Sequence, residues 1–202
     1  MQTTLNRDAP ASLSIDLPAR PGAPGAGTGA RLEIELDRGK IIRRVVADAE
    51  RRQAIVAALE STGIAAVVPA QGRLIGNLSA WENIVLPLAY RDAAPARELE
   101  MRAESLFAQS GCSAQAMRAI AQRLPDRLSV YERRLVAFVR AMLAEPEVMV
   151  LDAVADGLPR ADACRALGFA GLFRRHFPFR TTVHLEPERP AADDSPDDWE
   201  SL

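Results

Sequence analysis

Glu145-Pro146-Glu147-Val148-Met149-Val150-Leu151-Asp152 is the stretch on which the fold turns. A proline stops whatever precedes it, an unbroken apolar run follows, and an aspartate closes the run. Apolar character without alternation is what a strand covered on both faces requires. Asp152 stands at the carboxyl end of that run. Immediately upstream, Ser129-Val130-Tyr131-Glu132 reads as a capping box: the Ser hydroxyl takes an orphan amide of the first turn and the Glu reaches back to the cap. It opens a helix with Tyr131, Leu135, Phe138, Val139 and Met142 on its inner face, which Pro146 terminates.

Working outward, Ser79-Ala80-Trp81-Glu82 is a second capping box, and Pro87 is expected to kink or end its helix. Residues 95–110, closed by Gly111, and 114–123 read as amphipathic helices. Toward the N-terminus, Leu32-Glu33-Ile34-Glu35-Leu36 alternates with a strand's period, and Gly39 turns the chain into a second apolar run over 40–46. Residues 48–59 have helical spacing, with Ile55, Val56 and Leu59 on one side. Gly63 stops that helix, and 64–68 reads as a short buried strand. Toward the C-terminus, a helix over 161–176 leads to a strand over 181–185. Strands alternating with helices predict an α/β fold with a parallel sheet. The helical stretch 79–144 predicts a lobe inserted between sheet strands. Residues 1–30, rich in Pro, Gly and Ala, read as a disordered arm, 31–186 as the folded domain, and 187–202 as an acidic tail.

The 202 residues, 48% of them hydrophobic, suffice for one core. A net charge of −2, with Arg dispersed among Asp and Glu, excludes the basic footprint of a nucleic-acid binder. Cys112 and Cys164 lack the spacing of a zinc site and read as reduced thiols, and no metal site is expected. No leader-like apolar stretch follows Met1, and no run reaches the roughly 18 apolar residues of a membrane span. The expectation is a soluble, cytoplasmic protein that meets a membrane only through a partner.

Three pieces, in order, resemble the ATPase subunits of ATP-binding-cassette (ABC) transporters. Gln71-Gly72-Arg73-Leu74-Ile75-Gly76-Asn77-Leu78-Ser79-Ala80-Trp81-Glu82-Asn83-Ile84 is similar to the family's Q-loop and the segment after it. Leu124-Pro125-Asp126-Arg127-Leu128-Ser129-Val130-Tyr131-Glu132-Arg133-Arg134 falls where the family has its LSGGQ signature, and Val136-Ala137-Phe138-Val139-Arg140-Ala141-Met142-Leu143 resembles the helix that follows. The stretch 145–152 looks like the proline-initiated Walker B strand. Within the family, residues 78–88 most resemble ATPases of bacterial lipid-trafficking transporters of the mammalian-cell-entry type.

The resemblance implies a truncated P-loop-NTPase-like parallel sheet with an inserted helical lobe. It also assigns nucleotide-site positions. Gln71 matches the Q-loop glutamine, although counting back from Leu74 puts that glutamine on Ala70. Ser129 matches the signature serine, Asp152 the magnesium-holding aspartate, and His184 the switch histidine. Ser129 also reads simply as a helix cap, and His184 as a structural histidine inside a short strand.

The chain departs from the family where phosphate would bind. No G-x-x-x-x-G-K-[ST] run occurs, and the Gly39-Lys40 pair reads as a turn between strands. The Gly-rich run 22–29 lacks Lys and precedes the first strand. The interval 32–71 is short for the family, as after a deletion. Ala153 stands where the family has its catalytic Glu, and Pro159 at the D-loop aspartate. Val130 and Tyr131 replace the signature glycines that let backbone approach phosphate.

These departures lead to the expectation of a degenerate subunit of a lipid- or envelope-related ABC transporter. Such a subunit would be structural or regulatory, would not itself hydrolyse ATP, and would need no ATP or magnesium. Its partners would be a membrane permease and an intact ABC ATPase, with peripheral placement on the inner membrane. The family's permease-docking stretch falls on Leu74, Ile75, Asn77, Leu78, Trp81 and Asn83, with Trp81 either an interface anchor or part of the lobe's own core. Two alternatives stay open: an ATPase with a non-standard or partner-completed nucleotide site, and a soluble scaffold with an ABC-like fold.

Overall fold

The computed structural model describes residues 11–16, 31–89 and 95–188. Among the described residues, six strands form two sheets. β1 (Ala11–Asp16) and β2 (Arg31–Leu36) pair antiparallel as a two-stranded sheet. β3 (Ile41–Val45), β4 (Ala65–Pro69), β5 (Val148–Asp152) and β6 (Thr181–Glu186) form a parallel sheet in the order β3-β6-β5-β4. All its strands therefore end at one edge, where Pro69 lies opposite Asp152 and Asp152 opposite Leu185.

The central strand, β5, is buried along its whole length, as its unbroken apolar run requires. Its side chains divide between two cores. Val148 and Val150, with Val183 and Leu185 of β6, pack against Ile55, Val56 and Leu59 of α1 (Ala49–Ser61) and Ile34 and Leu36 of β2. Met149 and Leu151 join the larger core on the other face, built on α5 (Val130–Leu143) and α6 (Arg160–His176). At its centre Phe138 and Phe169 stack 4.3 Å apart with rings 3° from parallel.

Between β4 and β5 lies the expected lobe: α2 (Ala80–Ala89), α3 (Ala96–Gln109) and α4 (Ala114–Ala121), leading through a short 3-10 turn (Pro125–Arg127) to α5. Both capping boxes form. The Ser79 amide donates to Glu82 Oε2 at 2.7 Å while Ser79 Oγ accepts from the Glu82 amide, and Ser129 and Glu132 repeat the pattern. Ile84, Leu106, Phe107 and Ile120 bury the lobe's apolar side against α5.

Two local expectations change. Residues 11–16, assigned by composition to a disordered arm, form β1: their alternation suits a strand once β2 offers an edge. The rest of that arm, and the tail beyond residue 188, lie outside the described residues. Pro87 sits inside α2, which continues to Ala89.

Candidate functional site

The carboxyl edge of the parallel sheet gathers the candidate nucleotide residues. Asp152 closes β5, and Gln71 stands exposed just beyond Pro69, its strand neighbour. The order β3-β6-β5-β4 makes β3 and α1 the strand and helix between which a P-loop would run. Residues 46–48 alone connect them. Asp48 caps α1, its carboxylate accepting from the Glu50 amide at 2.9 Å and the Arg51 amide at 3.4 Å. One turn further on, Arg52 places Nε 2.7 Å from Asp152 Oδ1, both side chains largely buried. Burial pushes the Asp152 carboxyl above its ordinary range, and the charges of Arg52 and Arg73 pull the other way.

This fold family implies a magnesium nucleotide at that corner, and the residues present do not fit one as they stand. A phosphate at the start of α1 would face the Asp48 carboxylate across amides already bonded to it. A cation at Asp152 would face the Arg52 guanidinium. Ala153, in the catalytic Glu position, is buried and held at φ 50°. Among the described residues no group of three or more His, Cys, Asp or Glu side chains is placed to hold a metal ion. Lys40 points away from this corner: it precedes β3, at the opposite end of the sheet, and pairs with Asp37.

Ser129 is engaged as the cap of α5, its Oγ accepting from the Glu132 amide at 3.1 Å. Val130 and Tyr131 open the helix behind it, and Tyr131 packs into the core. Further along α5 is a residue that sequence reading passed over. Arg134, 4% exposed, donates to the carbonyls of Ala70 at 2.7 Å, Val154 at 2.8 Å and Asp156 at 2.7 Å. It thereby ties the turn after β4 to the turn after β5 through backbone carbonyls. Gly72 lets these parts meet. At φ 76° a side chain is strained, and an added Cβ would lie 3.0 Å from Arg133 Cβ and Arg133 O.

His184 is not brought to Asp152. It lies inside β6, level with Leu151, and faces the α5 side of the sheet, whereas Asp152 faces α1. At 2% exposure its Nε2 has no hydrogen-bond partner among the described residues. Burial, with a smaller contribution from Arg43, lowers its pKa to about 4, so it is neutral at pH 7.

The docking candidates divide by exposure. Ile75 and Asn77 are exposed, while Leu74, Leu78 and Trp81 are half-buried, Leu74 and Trp81 packing on the larger core. Asn83 is fully buried and therefore not available to a partner. Its Oδ1 accepts from the Ile75 amide at 2.7 Å, and its Nδ2 donates to the carbonyls of Ile75, Leu78 and Ser79. It fixes the shape of the loop that carries Ile75 and Asn77.

No protein-family model matches the chain. Among curated proteins it is similar to the lipoprotein-releasing system ATP-binding protein LolD of Acinetobacter baylyi, 34% identical over 45% of this chain and 37% of that protein. LolD of Chromohalobacter salexigens is 30% identical over 45% of this chain and 42% of its own length. The aliphatic sulfonates import ATP-binding protein SsuB 3 of Nocardia farcinica is 34% identical over 59% of this chain and 44% of its own length. The chain thus spans less than half the length of each of these relatives. Among solved structures, cbiO1 from Clostridium perfringens, part of the ABC transporter complex cbiONQ, superposes with TM-score 0.62 at 12% identity, over 87% of this chain and 78% of that one. The ATP-binding cassette MJ0796 bound to ADP and Pi gives TM-score 0.63 at 15% identity, over 87% and 88%.

These likenesses overturn two expectations. The curated relatives belong to lipoprotein release and sulfonate import, so residues 78–88 do not tie the chain to mammalian-cell-entry lipid transporters. The reading as a degenerate, structural or regulatory pseudoenzyme also gives way, because these relatives are ATP-binding proteins. The motif argument rested on a missing phosphate loop and on single positions at 130, 131, 153 and 159, whereas the likeness extends over 45% to 59% of the chain. Strand order, inserted lobe and superposition together establish the fold of an ABC ATPase, a P-loop-NTPase-like parallel α/β sheet with a helical insertion.

Proposed function

We propose that this chain is an ATP-binding-cassette subunit of a membrane transporter, seated on a permease through the loop that carries Ile75 and Asn77. The observation that carries the reading is the construction of that loop. It stands at the root of the lobe, its outward residues are exposed, and two buried side chains, Asn83 and Arg134, hold its backbone from within. A loop over-determined from inside and apolar at its tip is suited to receive a partner without paying to order itself. The names of the curated relatives support a nucleotide-using role in transport. Nucleotide is used in the assembly, at a site that a second chain completes, because this chain's own phosphate turn is reduced to residues 46–48.

Among the described residues no helix is long and apolar enough to cross a membrane, so the permease supplies the membrane contact. The test is tagged purification of the chain from native-host membranes in mild detergent, with mass spectrometry of what accompanies it. A polytopic permease in stoichiometric yield is the expected companion. A soluble chain without one contradicts the proposal.

A further inference from the structure

Two turns leave the carboxyl edge of the sheet, one after β4 and one after β5, and the guanidinium of Arg134 holds both. We propose that Arg134 is a positioning residue that makes these turns move as one body, so that a partner seated on Ile75 and Asn77 reshapes the turn that follows Asp152. Use of the tie by a partner rests on the permease reading above, and the tie itself does not.

The geometry of the contact is what couples the turns. Arg134 Nε donates to the Ala70 carbonyl at 2.7 Å, while Nη1 and Nη2 donate to the carbonyls of Val154 at 2.8 Å and Asp156 at 2.7 Å. A guanidinium is planar, so its donors hold those three carbonyls at fixed separations. At 4% exposure, little water is at hand to replace a carbonyl that moves away. Parting the turns therefore breaks a charge-assisted bond, which makes the parted state rarer by roughly tenfold or more.

Both turns carry strain that such a tie holds in place. Arg73 sits at φ 41° and Ala153 at φ 50°, in the left-handed region that residues with a side chain seldom adopt. Conformations of that kind persist where their surroundings over-determine them. Helix α5 supplies a second clamp to the turn after β4: Arg140 Nη1 donates to the Arg73 carbonyl at 3.2 Å and Nη2 to the Gly72 carbonyl at 3.4 Å. Beyond Arg73, Asn83 fixes the Ile75 amide at 2.7 Å. Chain and hydrogen bonds together run from the exposed Ile75 through residues 70–73 and Arg134 to Asp156.

The test uses the full chain without a permease, so its failure and that of the permease reading are distinguishable. Backbone hydrogen exchange is followed residue by residue by NMR. Gly72→Ala strains the turn after β4, where φ is 76°, and Gly157→Ala the turn after β5, where φ is 66°. The Asp156 amide, bonded to the Ala153 carbonyl at 3.1 Å, reports on the second turn, and the Thr182 amide reports on the opposite end of the sheet. Relative to Thr182, exchange at Asp156 should quicken at least tenfold in Gly72→Ala. Reciprocally, exchange at Ile75 should quicken in Gly157→Ala. Both cross-effects should fall below twofold in Arg134→Lys, which keeps a charge but, as a point donor, cannot hold both turns. An arginine that merely stabilises the fold would change overall protection and leave no cross-effect to lose. Absence of the cross-effects while Arg134 is present overturns the proposal, and so does their persistence in Arg134→Lys. Should Arg134→Lys fail to fold, Arg134→Met takes its place, and should neither fold, the cross-effects in the chain that keeps Arg134 decide. Should Gly72→Ala fail to fold, Gly157→Ala read at the Gly72 and Ile75 amides decides.

Discussion

The α5–β5 side and the β3–α1 side meet at one edge of one sheet and are built on different terms. On the α5–β5 side, capped helix, apolar strand and stacked aromatic rings form a packed core in which the polar residues, Arg134 and Asn83, are spent on backbone carbonyls and amides. On the β3–α1 side the connection shrinks to residues 46–48, and Asp48, Arg52 and Asp152 bring charge to the contact. The first arrangement fixes shape by packing, and the second rests on a largely buried ion pair.

That contrast can be broken by mutation. Phe138→Ala, on the packed side, removes a fully buried ring stacked on Phe169 and should cost about 3–5 kcal/mol in chemical denaturation. A cost near zero would mean that this core is not the one described. Arg52→Ala, on the charged side, should cost about 3 kcal/mol by leaving Asp152 buried without its counter-charge. The pair Arg52→Met/Asp152→Leu should recover most of that, because the loss is of charge compensation and not of shape. Failure of the pair to recover would place packing, not charge, at the corner.

A smaller effect separates the two sides by pH. His184 faces the packed core, and its pKa of about 4 lies below the ordinary imidazole value of 6.5. Folding favours the neutral ring, so its contribution is complete above pH 6.5 and is lost as pH falls toward 4, by about 3 kcal/mol at most. His184→Gln should flatten that part of the stability profile, and an unchanged slope would count against the assigned burial. The smallest effect is expected at Ser129→Ala. Loss of a cap should cost about 1 kcal/mol in thermal or urea unfolding. A larger loss would show that Ser129 does more than cap α5.

What could be read from sequence followed the same division. The run 148–151 and the two capping boxes announced a buried strand and two helix starts because periodicity and capping are local chemistry. The parallel sheet with its inserted lobe followed from their order. The corner was less legible. Asp48 and Arg52 stand one helical turn apart, but only the strand order shows that this turn faces Asp152. Arg134 carried little signal, because it is the third charge of the run Glu132-Arg133-Arg134 and its three carbonyl partners come from distant turns. Asn83 looked like a docking residue because it lies in the docking stretch, and its side-chain direction became clear only in three dimensions. Strand β1 went unread because its partner edge, β2, lies beyond a Pro/Gly-rich stretch.

The central claim is that the loop bearing Ile75 seats this chain on a membrane permease. Its most direct test is a photo-crosslinking residue at position 75, compared in native membranes with one at position 179. Phe179 is 77% exposed but precedes β6, at the opposite edge of the sheet. The account predicts an adduct with a polytopic membrane protein from position 75 and none from position 179. Equal labelling from both positions, or labelling of soluble proteins alone from position 75, would contradict it.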